Sequence, residues 1–459
     1  MGFRWILGLC VLVGSASARH AEDGAISQFR RDLLRLGYEN VALETTDSTL
    51  VVWCENRRIR YPVVWMVEAL SLAASSVPRE HRVCVVAERF ARPVVSLAAR
   101  ASDVVAWMEG AVPTSAFRDR LTVAFAGDRQ PPGRLNPSLR RVDLMLGPGR
   151  LLTELGLPGD WIRATFDVSA ELTTALAPGL IAYGRMFVPL HHRGGPVDNE
   201  ERYNEVRPGS FLLSYFHSLG PSAFSTVTMG MFELRNWQYD SYGVMVDLFH
   251  ATPDGHWVIG GAIGYLGSAT YRVLDDRPER YRVWEIVWPP KDWPYQAVIG
   301  YRFDGFDLHV TARWGRFLAK DRAWQLDVER KFGEVSVTIF GIKSDDRVGG
   351  ADPVDRNNVR LLGGIRMQVP LYPRERSMPS RLRVTSAASY VWTYRYRAGH
   401  VGVNVESGHR VEDIIEYYNP TYIRNNLERA RTQIRASRLQ EGRGRREVTT
   451  SANAADGSH

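Results

Sequence analysis

Eleven ionisable residues lie at alternate positions in five segments of this chain, where their side chains could bind anionic groups. They are six arginines, four carboxylates and one histidine: Arg163, Asp167, Arg302, Asp307, His309, Arg313, Asp327, Glu329, Arg381, Arg383 and Arg395. A guanidinium donates several hydrogen bonds at once to a carboxylate or phosphate, so the excess of arginine favours an anionic ligand. The other interpretation is that these charges pair with one another, since burying an unpaired charge is costly.

Residues typical of catalysis are sparse. The sequence has no G-x-S-x-G, H-E-x-x-H or P-loop motif. Ser214 and His217 are three residues apart in a strand-like segment, which places their side chains on opposite sides. His191 and His192 are adjacent and also point apart, so a shared metal is not expected. We therefore expect no enzymatic activity, cofactor or metal site, with a polysaccharide-modifying membrane enzyme as the alternative.

The elements that carry the ionisable residues have the alternating pattern of β-strands. In residues 306–315 one face is Phe306, Leu308, Val310, Ala312 and Trp314, while the other carries Asp307, His309 and Arg313. The runs are about ten residues long, enough for a tilted strand to cross a bilayer. Strands of a soluble sandwich, the alternative, usually have about five or six residues. The pair Asp304-Gly305 predicts a two-residue hairpin turn.

About fifteen strand-like runs occur between residues 139 and 406. Closed single-chain bacterial barrels have an even number of strands, which favours twelve or fourteen. The predicted fold class is therefore mainly β: an antiparallel transmembrane β-barrel of about 12–14 strands, preceded by a small α+β periplasmic domain. The segments 191–208 and 344–359, rich in Gly, Pro, Asp and Asn, are predicted extracellular loops.

The first residues have the features of an export signal. Arg4 precedes a short apolar stretch, and Ala16-Ser17-Ala18 forms an A-x-A cleavage site, so residues 1–18 are predicted to be a signal peptide. No other segment approaches eighteen consecutive apolar residues, which argues against membrane helices. An aromatic content of 11% with 13 Trp suits interfacial girdles, although the mean hydropathy is −0.24. The predicted location is the outer membrane of a Gram-negative cell, with the N-terminal domain in the periplasm.

The rest of the chain divides into smaller predicted units. Residues 23–110 predict an αββαββα domain, 111–138 a linker, 139–420 the barrel, and 421–459 a basic helix followed by a disordered tail. The tail is read as solvated, or as docking on anionic headgroups or polymer. Nucleic acid is not an expected partner, because no aromatic residues are interleaved with the basic ones.

Two cysteines remain after the signal, Cys54 and Cys84, each inside an apolar strand-like run. Export would place them where disulfides persist. Cross-strand bridges within a sheet are geometrically awkward, so a disulfide and two buried thiols both stay open.

Several segments together are similar to a known family. The sequence at 210–217, Met229-Gly230-Met231-Phe232-Glu233 and the stretches 314–321 and 326–333 resemble the C-terminal region of the YjbH/GfcD family, although Lys320 stands where the family has Gly. The resemblance covers residues 200–375 and, more loosely, the αββαββα unit. It implies an outer-membrane β-barrel encoded with exopolysaccharide or capsule genes.

The resemblance and the arginine-rich polar face together predict a role in exopolysaccharide or capsule export or assembly. The expected partners are outer-membrane lipid, an acidic exopolysaccharide, and other periplasmic or outer-membrane exopolysaccharide proteins. A structural scaffold whose barrel is plugged is a further alternative. In that case the charged residues would serve to brace the plug.

Overall fold

The structure is a computed structural model that describes most of the chain. The described residues are 24–127, 130–131, 133–148, 151–155, 162–193, 206–232, 240–274, 281–286, 288–317, 321–344, 361–371, 375–378, 380–387, 389–396 and 410–437. The predicted signal peptide, Lys320, the last residues of the tail and nearly all of the predicted loop 344–359 lie outside these ranges.

The N-terminal unit, residues 24–125, is a five-stranded sheet with helices packed on it. Its strand order is β1-β2-β3-β4-β5, and β2 and β3 are parallel. The elements as far as α3 follow the predicted αββαββα order. The predicted linker contains α4 and β5, and β5 extends the sheet by pairing with β4. The bounds are α1 24–35, β1 Glu39–Thr46, β2 Thr49–Glu55, α2 Pro62–Ser75, β3 Arg82–Arg89, β4 Arg92–Arg100, α3 Ala101–Glu109, α4 Thr114–Arg120 and β5 Thr122–Phe125.

Local sequence explains where the helices of this unit begin and end. Pro62 opens α2, where its fixed φ suits the first helical position and its missing N–H costs nothing. Side chains on several sides of α2 are buried, including Trp65, Met66 and Leu70, because the helix packs against both α3 and the sheet. Gly110 ends α3 at a φ of 91°, a left-handed conformation that favours glycine.

The two cysteines are free thiols, so the bridge that the sequence left open is not formed. Cys54 lies opposite Ala87 and Cys84 lies opposite Val51, on neighbouring strands β2 and β3. Cys54 and Val51, the residue opposite Cys84, are three positions apart on β2, so the two thiols lie on opposite faces of the sheet. Cys54 is fully buried in the main core, and Cys84 is half-buried.

A second sheet contains sixteen strands among the described residues. Most neighbours in sequence pair as antiparallel hairpins, from β8 to β13 and from β15 to β19. The bounds are β6 Val142–Pro148, β7 Leu151–Leu155, β8 Ile162–Ala177, β9 Leu180–Arg193, β10 Arg207–Gly220, β11 Ala223–Phe232, β12 Asp240–Ala251, β13 Trp257–Leu274, β14 Tyr281–Ile286, β15 Tyr295–Arg302, β16 Leu308–Arg316, β17 Arg322–Phe332, β18 Val335–Ser344, β19 Leu361–Pro370, β20 Leu382–Ser386 and β21 Ser389–Tyr396.

Six of these strands are halves of three interrupted ones. β6 and β7 both pair with β8, β14 and β15 both pair with β13, and β20 and β21 continue each other after a short break. Counting each interrupted strand once leaves thirteen strands in the described chain, within the predicted 12–14 but odd, where an even number was expected. The first and last of them run parallel, because β20 pairs with β6 and β21 pairs with β7.

The apolar face of this sheet is exposed, and its polar face is buried. Along β17 the exposed residues alternate with buried ones. Trp324 and Leu326 are 53% and 50% exposed, and Ile339 on β18 is 61% exposed, while Gln325 and Asp327 are buried. A soluble sandwich buries the apolar face instead. The period-two pattern thus correctly separates the two faces, and the soluble alternative does not fit these strands.

One predicted turn is longer in the structure. The sequence predicted a two-residue turn at Asp304-Gly305, but Phe303 N–H donates to Leu308 O, so the loop has four residues, 304–307. Gly305 and Asp307 both have positive φ there. Adding two residues preserves the face of every following side chain, because the period of a strand is two.

Three helices follow the last strand: α5 Val411–Tyr417, α6 Pro420–Asn425 and α7 427–437. None of the helices among the described residues is both long and apolar enough to pass through a bilayer. The main hydrophobic core is shared by three parts of the chain. Trp107 of the N-terminal unit, Phe216 and Phe224 of the large sheet, and Leu427 and Ile434 of α7 all belong to it.

The basic C-terminal helix is packed, not solvated, so the expectation of a solvated tail is wrong as far as residue 437. Arg424 donates to Val123 O, Arg431 to Trp107 O and Arg435 to Met108 O. These arginines donate to carbonyl groups at the C-terminal end of α3 and on β5, while the apolar side of α7 enters the shared core. The helical pattern was visible in the sequence, but the surface it covers was not.

A buried carboxyl makes the stability of the N-terminal unit depend on pH. Glu88 on β3 is fully buried, and Arg134 Nη2 donates to its Oε1 at 3.0 Å. Burial raises the pKa of Glu88 from 4.5 to about 7, although Arg134 opposes the shift. The folded chain therefore holds this proton more tightly than the unfolded chain, so stability is lost as the pH rises from the unfolded value towards about 7.

When the pH is raised from 4.5 to about 7, we expect the free energy of unfolding of Glu88→Gln to increase by about 3 kcal/mol relative to that of the wild type. The reason is that glutamine has no proton to lose. Urea unfolding followed by the near-ultraviolet circular dichroism of the buried tryptophans measures the difference. Glu80→Gln, at an exposed position, is the matched control. Parallel pH curves for the wild type and Glu88→Gln would contradict the assignment.

Candidate functional site

Three neighbouring strands bring several of the predicted ionisable residues together on the buried, polar face of the large sheet. Arg302 of β15 lies opposite His309 of β16, which lies opposite Glu329 of β17. Alternation keeps Asp327 on the same face as Glu329. Gly300 leaves room for the imidazole, because a Cβ there would lie 2.7 Å from His309 Nε2.

Helix α5 lies against this polar face and pairs with it through charges. Arg313 Nη1 on β16 lies 3.0 Å from Asp327 Oδ2, and the same guanidinium pairs with Glu412 of α5. One helical turn further on, Glu416 pairs with Lys331 of β17. Glu412 and Glu416, two of the three acidic residues of α5, are four positions apart, so both point to the same side of the helix.

A third ion pair fixes the start of the helix. Arg410 Nη2 lies 3.1 Å from Asp247 Oδ1 on β12, and 4.0 Å from Glu412 Oε2. Asp247 is fully buried, so its charge needs this partner. The segment 410–417 is therefore tied to three different strands of the sheet, β12, β16 and β17.

Aromatic rings cover two cations, Lys331 and Arg302, at the C-terminal end of α5. Lys331 Nζ lies 4.3 Å from the ring centroid of Tyr417 and 5.1 Å from that of Tyr422. Arg302 Cζ lies 5.5 Å from the Tyr422 centroid. Cations at these distances are attracted to the ring faces, and the attraction is stronger where water is excluded.

His309, Glu329 and Glu416 form a group with the spacing of a metal site. One potential ligand atom from each lies within 4.8 Å of the others. However, Lys331 pairs with Glu416, and Arg302 interacts electrostatically with the same carboxylate. Two cations thus already balance the two carboxylates, and a divalent ion would leave the group with excess positive charge. The geometry favours an ion-pair network here.

A second buried network joins the N-terminal unit to the parallel contact between the first and last strands. Arg383 of β20 and Asp143 of β6 are opposite each other, and two hydrogen bonds of 2.9 and 2.7 Å link their side chains. Arg57 donates to the same carboxylate at 2.9 Å, and makes two further bonds to Glu39. Arg141 also donates to Glu39.

A protein-family model matches most of this chain. The model, YjbH, is described as exopolysaccharide biosynthesis protein YbjH and matches residues 14–348, more than two thirds of the chain. The chain belongs to the YjbH family. The resemblance predicted from the sequence is thereby confirmed, and the match extends through the N-terminal unit to β18. Strands β19–β21 and helices α5–α7 of this YjbH-family chain follow the matched stretch.

No curated protein matches this YjbH-family chain. A solved structure of Salmonella typhi OmpF in complex with daunomycin aligns with 56% of this chain and 97% of its own, at 12% identity and a TM-score of 0.26.

The structure of this YjbH-family chain distributes the eleven predicted residues unevenly. Five of them meet on the polar face beside α5: Arg302, His309, Arg313, Asp327 and Glu329. Arg383 belongs to the second network, and Asp307 accepts a hydrogen bond from Asn426 at 2.8 Å. Asp167 is half-buried on β8, and Arg381 is exposed just before β20. The side chains of Arg163 and Arg395 lie outside the described part.

Other charged residues of the site were missed by the sequence analysis. Lys331 continues the alternation of Asp327 and Glu329 and could have been found from it. Glu412 and Glu416 have helical spacing, but the segment was assigned to the end of the barrel. Ser214, considered for catalysis, is buried 3.0 Å from Thr228 Oγ1, whereas His217 lies on the other face of β10, as predicted.

Proposed function

We propose that this chain is an outer-membrane β-barrel protein that takes part in exopolysaccharide or capsule export or assembly without catalysing a reaction. The observation that carries the proposal is the exposed apolar face of a large sheet with a buried polar face. Hydrocarbon would solvate residues such as Trp324, Leu326 and Ile339, whose exposure to water would be unfavourable.

The strand pairing supports closure into a cylinder. β8 pairs on one side with β6 and β7, and on the other side with β9. From β9 the pairing runs through the hairpins to β19 and β21, and β21 pairs with β7. A sheet without free edges avoids unpaired backbone groups, which is what a bilayer requires.

The position of the N-terminal unit indicates which end of the barrel would face the periplasm. This unit packs on the end of the sheet that carries short turns: Gly179, between β8 and β9, donates to Phe90 O at 2.8 Å. Arg92 also donates at 2.9 Å to the hydroxyl of Tyr215, which lies opposite Leu180 beside the same turn. Outer-membrane barrels have short turns on the periplasmic side. We therefore place the N-terminal unit in the periplasm of a Gram-negative cell.

The polar face would line the lumen, with an acidic exopolysaccharide as ligand and other exopolysaccharide proteins of the envelope as partners. Arginine suits uronate or phosphate groups. Family membership supports the polysaccharide. A plugged structural scaffold is the second candidate, since the ion pairs of α5 occupy this face.

Two measurements test the proposal. Protein extracted from outer membranes should migrate faster on gels before boiling than after it, as closed barrels do. In planar bilayers, polygalacturonate should alter the conductance of the purified full chain, whereas neutral dextran should not. Recovery of the protein only in soluble fractions would overturn the membrane assignment. A folded, inserted protein indifferent to both polymers would favour the scaffold.

A further inference from the structure

We propose that the polar face around Arg313 and Lys331 is a binding site for consecutive carboxylates of an acidic saccharide, which Glu412 and Glu416 of the chain's own helix α5 occupy in the resting state. The inference rests on the proposed function and deepens it. Helix α5 would then compete with the exported polymer for the same cations.

The charges of the helix match those of the proposed ligand. Glu412 pairs with Arg313, and Glu416 pairs with Lys331. The two carboxylates are separated by four residues of helix, a rise of about 6 Å, which is comparable with the length of one sugar residue. A chain of uronates presents carboxylates in the same repeating way, so both could satisfy the same two cations.

Displacing only the two glutamates leaves three cations and two carboxylates on β15–β17 beside the helix, while Arg410 keeps its pair with Asp247. They are Arg302, Arg313, Lys331, Asp327 and Glu329. Lys331 retains only 2% of its side-chain exposure while it is paired with Glu416. An anion that takes the place of Glu416 keeps this ammonium paired, which makes anionic polymer a suitable trigger.

One side of α5 buries Val411, Ile414 and Ile415 in the main core, whereas the carboxylates of Glu412 and Glu416 lie on another side, within reach of solvent. Glu412 and Glu416 retain 20% and 22% of their side-chain exposure, and Asp413 between them is exposed. Partly exposed ion pairs exchange partners at a lower cost than a dry apolar contact. An incoming polymer can therefore displace the carboxylates one at a time.

The test follows hydrogen–deuterium exchange of the peptides that cover residues 411–425 in the full chain. Oligogalacturonate should accelerate exchange in these peptides. Maltooligosaccharides of equal length, and galacturonic acid at the same carboxylate concentration, should not. Glu412→Gln/Glu416→Gln should raise exchange without any ligand, on the order of tenfold to a hundredfold. Asp413→Asn is the matched control on the same helix and should behave as the wild type.

A second arm tests the sheet side of the site. In the Glu412→Gln/Glu416→Gln background, Lys331→Gln should weaken oligogalacturonate binding measured by calorimetry. Heat-modifiable migration establishes that each variant is folded, and the wild-type arm needs no variant at all. If oligogalacturonate binds but exchange at 411–425 is unchanged, the inference fails while the proposed function stands. If the neutral sugar is as effective, charge competition is wrong. If no acidic sugar binds an inserted barrel, both fail.

Discussion

Replacing Asp143 with alanine is expected to lower the free energy of unfolding by about 3–5 kcal/mol, the cost of leaving buried charges without a partner. The carboxylate accepts hydrogen bonds from both Arg57 and Arg383, which are 6% and 1% exposed. Arg383 would lose its carboxylate partner at the contact between the first and last strands, and Arg57 would keep Glu39 alone. Urea unfolding of the faster-migrating folded form in detergent micelles measures the loss.

Glu375→Gln is the matched control for this prediction. Arg58 also links the N-terminal unit to the large sheet through Glu375, but this carboxylate is 51% exposed. An exposed ion pair contributes about 1 kcal/mol or less, so the control should unfold nearly as the wild type does. If Asp143→Ala were no more damaging than Glu375→Gln, the strand contact would not depend on the buried network.

Replacing Leu326 with arginine is expected to cost about 2–4 kcal/mol in lipid vesicles, the penalty for arginine on the lipid side of a barrel near the bilayer centre. Leu326 is near the middle of β17 and is 50% exposed. On a surface in water, the same change would be close to neutral. Reversible unfolding from vesicles, followed by tryptophan fluorescence, gives the free-energy difference.

Leu135→Arg is the matched control for Leu326→Arg, because Leu135 lies outside the large sheet. This leucine is 43% exposed in the segment that follows the N-terminal unit, so Leu135→Arg should change stability by a few tenths of a kcal/mol. The difference between the two variants isolates the contribution of hydrocarbon. Equal effects at both positions would mean that the apolar face of the sheet is not solvated by lipid.

Much of the fold could be predicted from the sequence because strands and helices have different periods. In β16 and β17 every second residue belongs to one face, so the polar faces of Arg313 and Asp327 could be assigned without a structure. The order of the helices and strands as far as α3 was also predicted, and Pro62 and Gly110 stand where proline and glycine typically begin and end a helix.

The networks could not be predicted, because they join residues that are distant in sequence. Asp143 and Arg383 are 240 positions apart and meet only when β20 lies parallel to β6. Helix α5 has seven residues, too few for a periodic pattern to show which surface it covers. The four-residue turn at 304–307 escaped detection for a similar reason, since the side-chain alternation is the same with either turn length.

The shared core imposes an order on biogenesis. Trp107 is covered by α7, whose Arg431 donates to the Trp107 carbonyl from 324 positions further along the chain. On a growing or translocating polypeptide, the apolar surface around Trp107 therefore emerges long before the helix that covers it. A chain that stopped ahead of residue 410 would leave this surface exposed, and chaperones or proteases that recognise exposed apolar surface would bind there first.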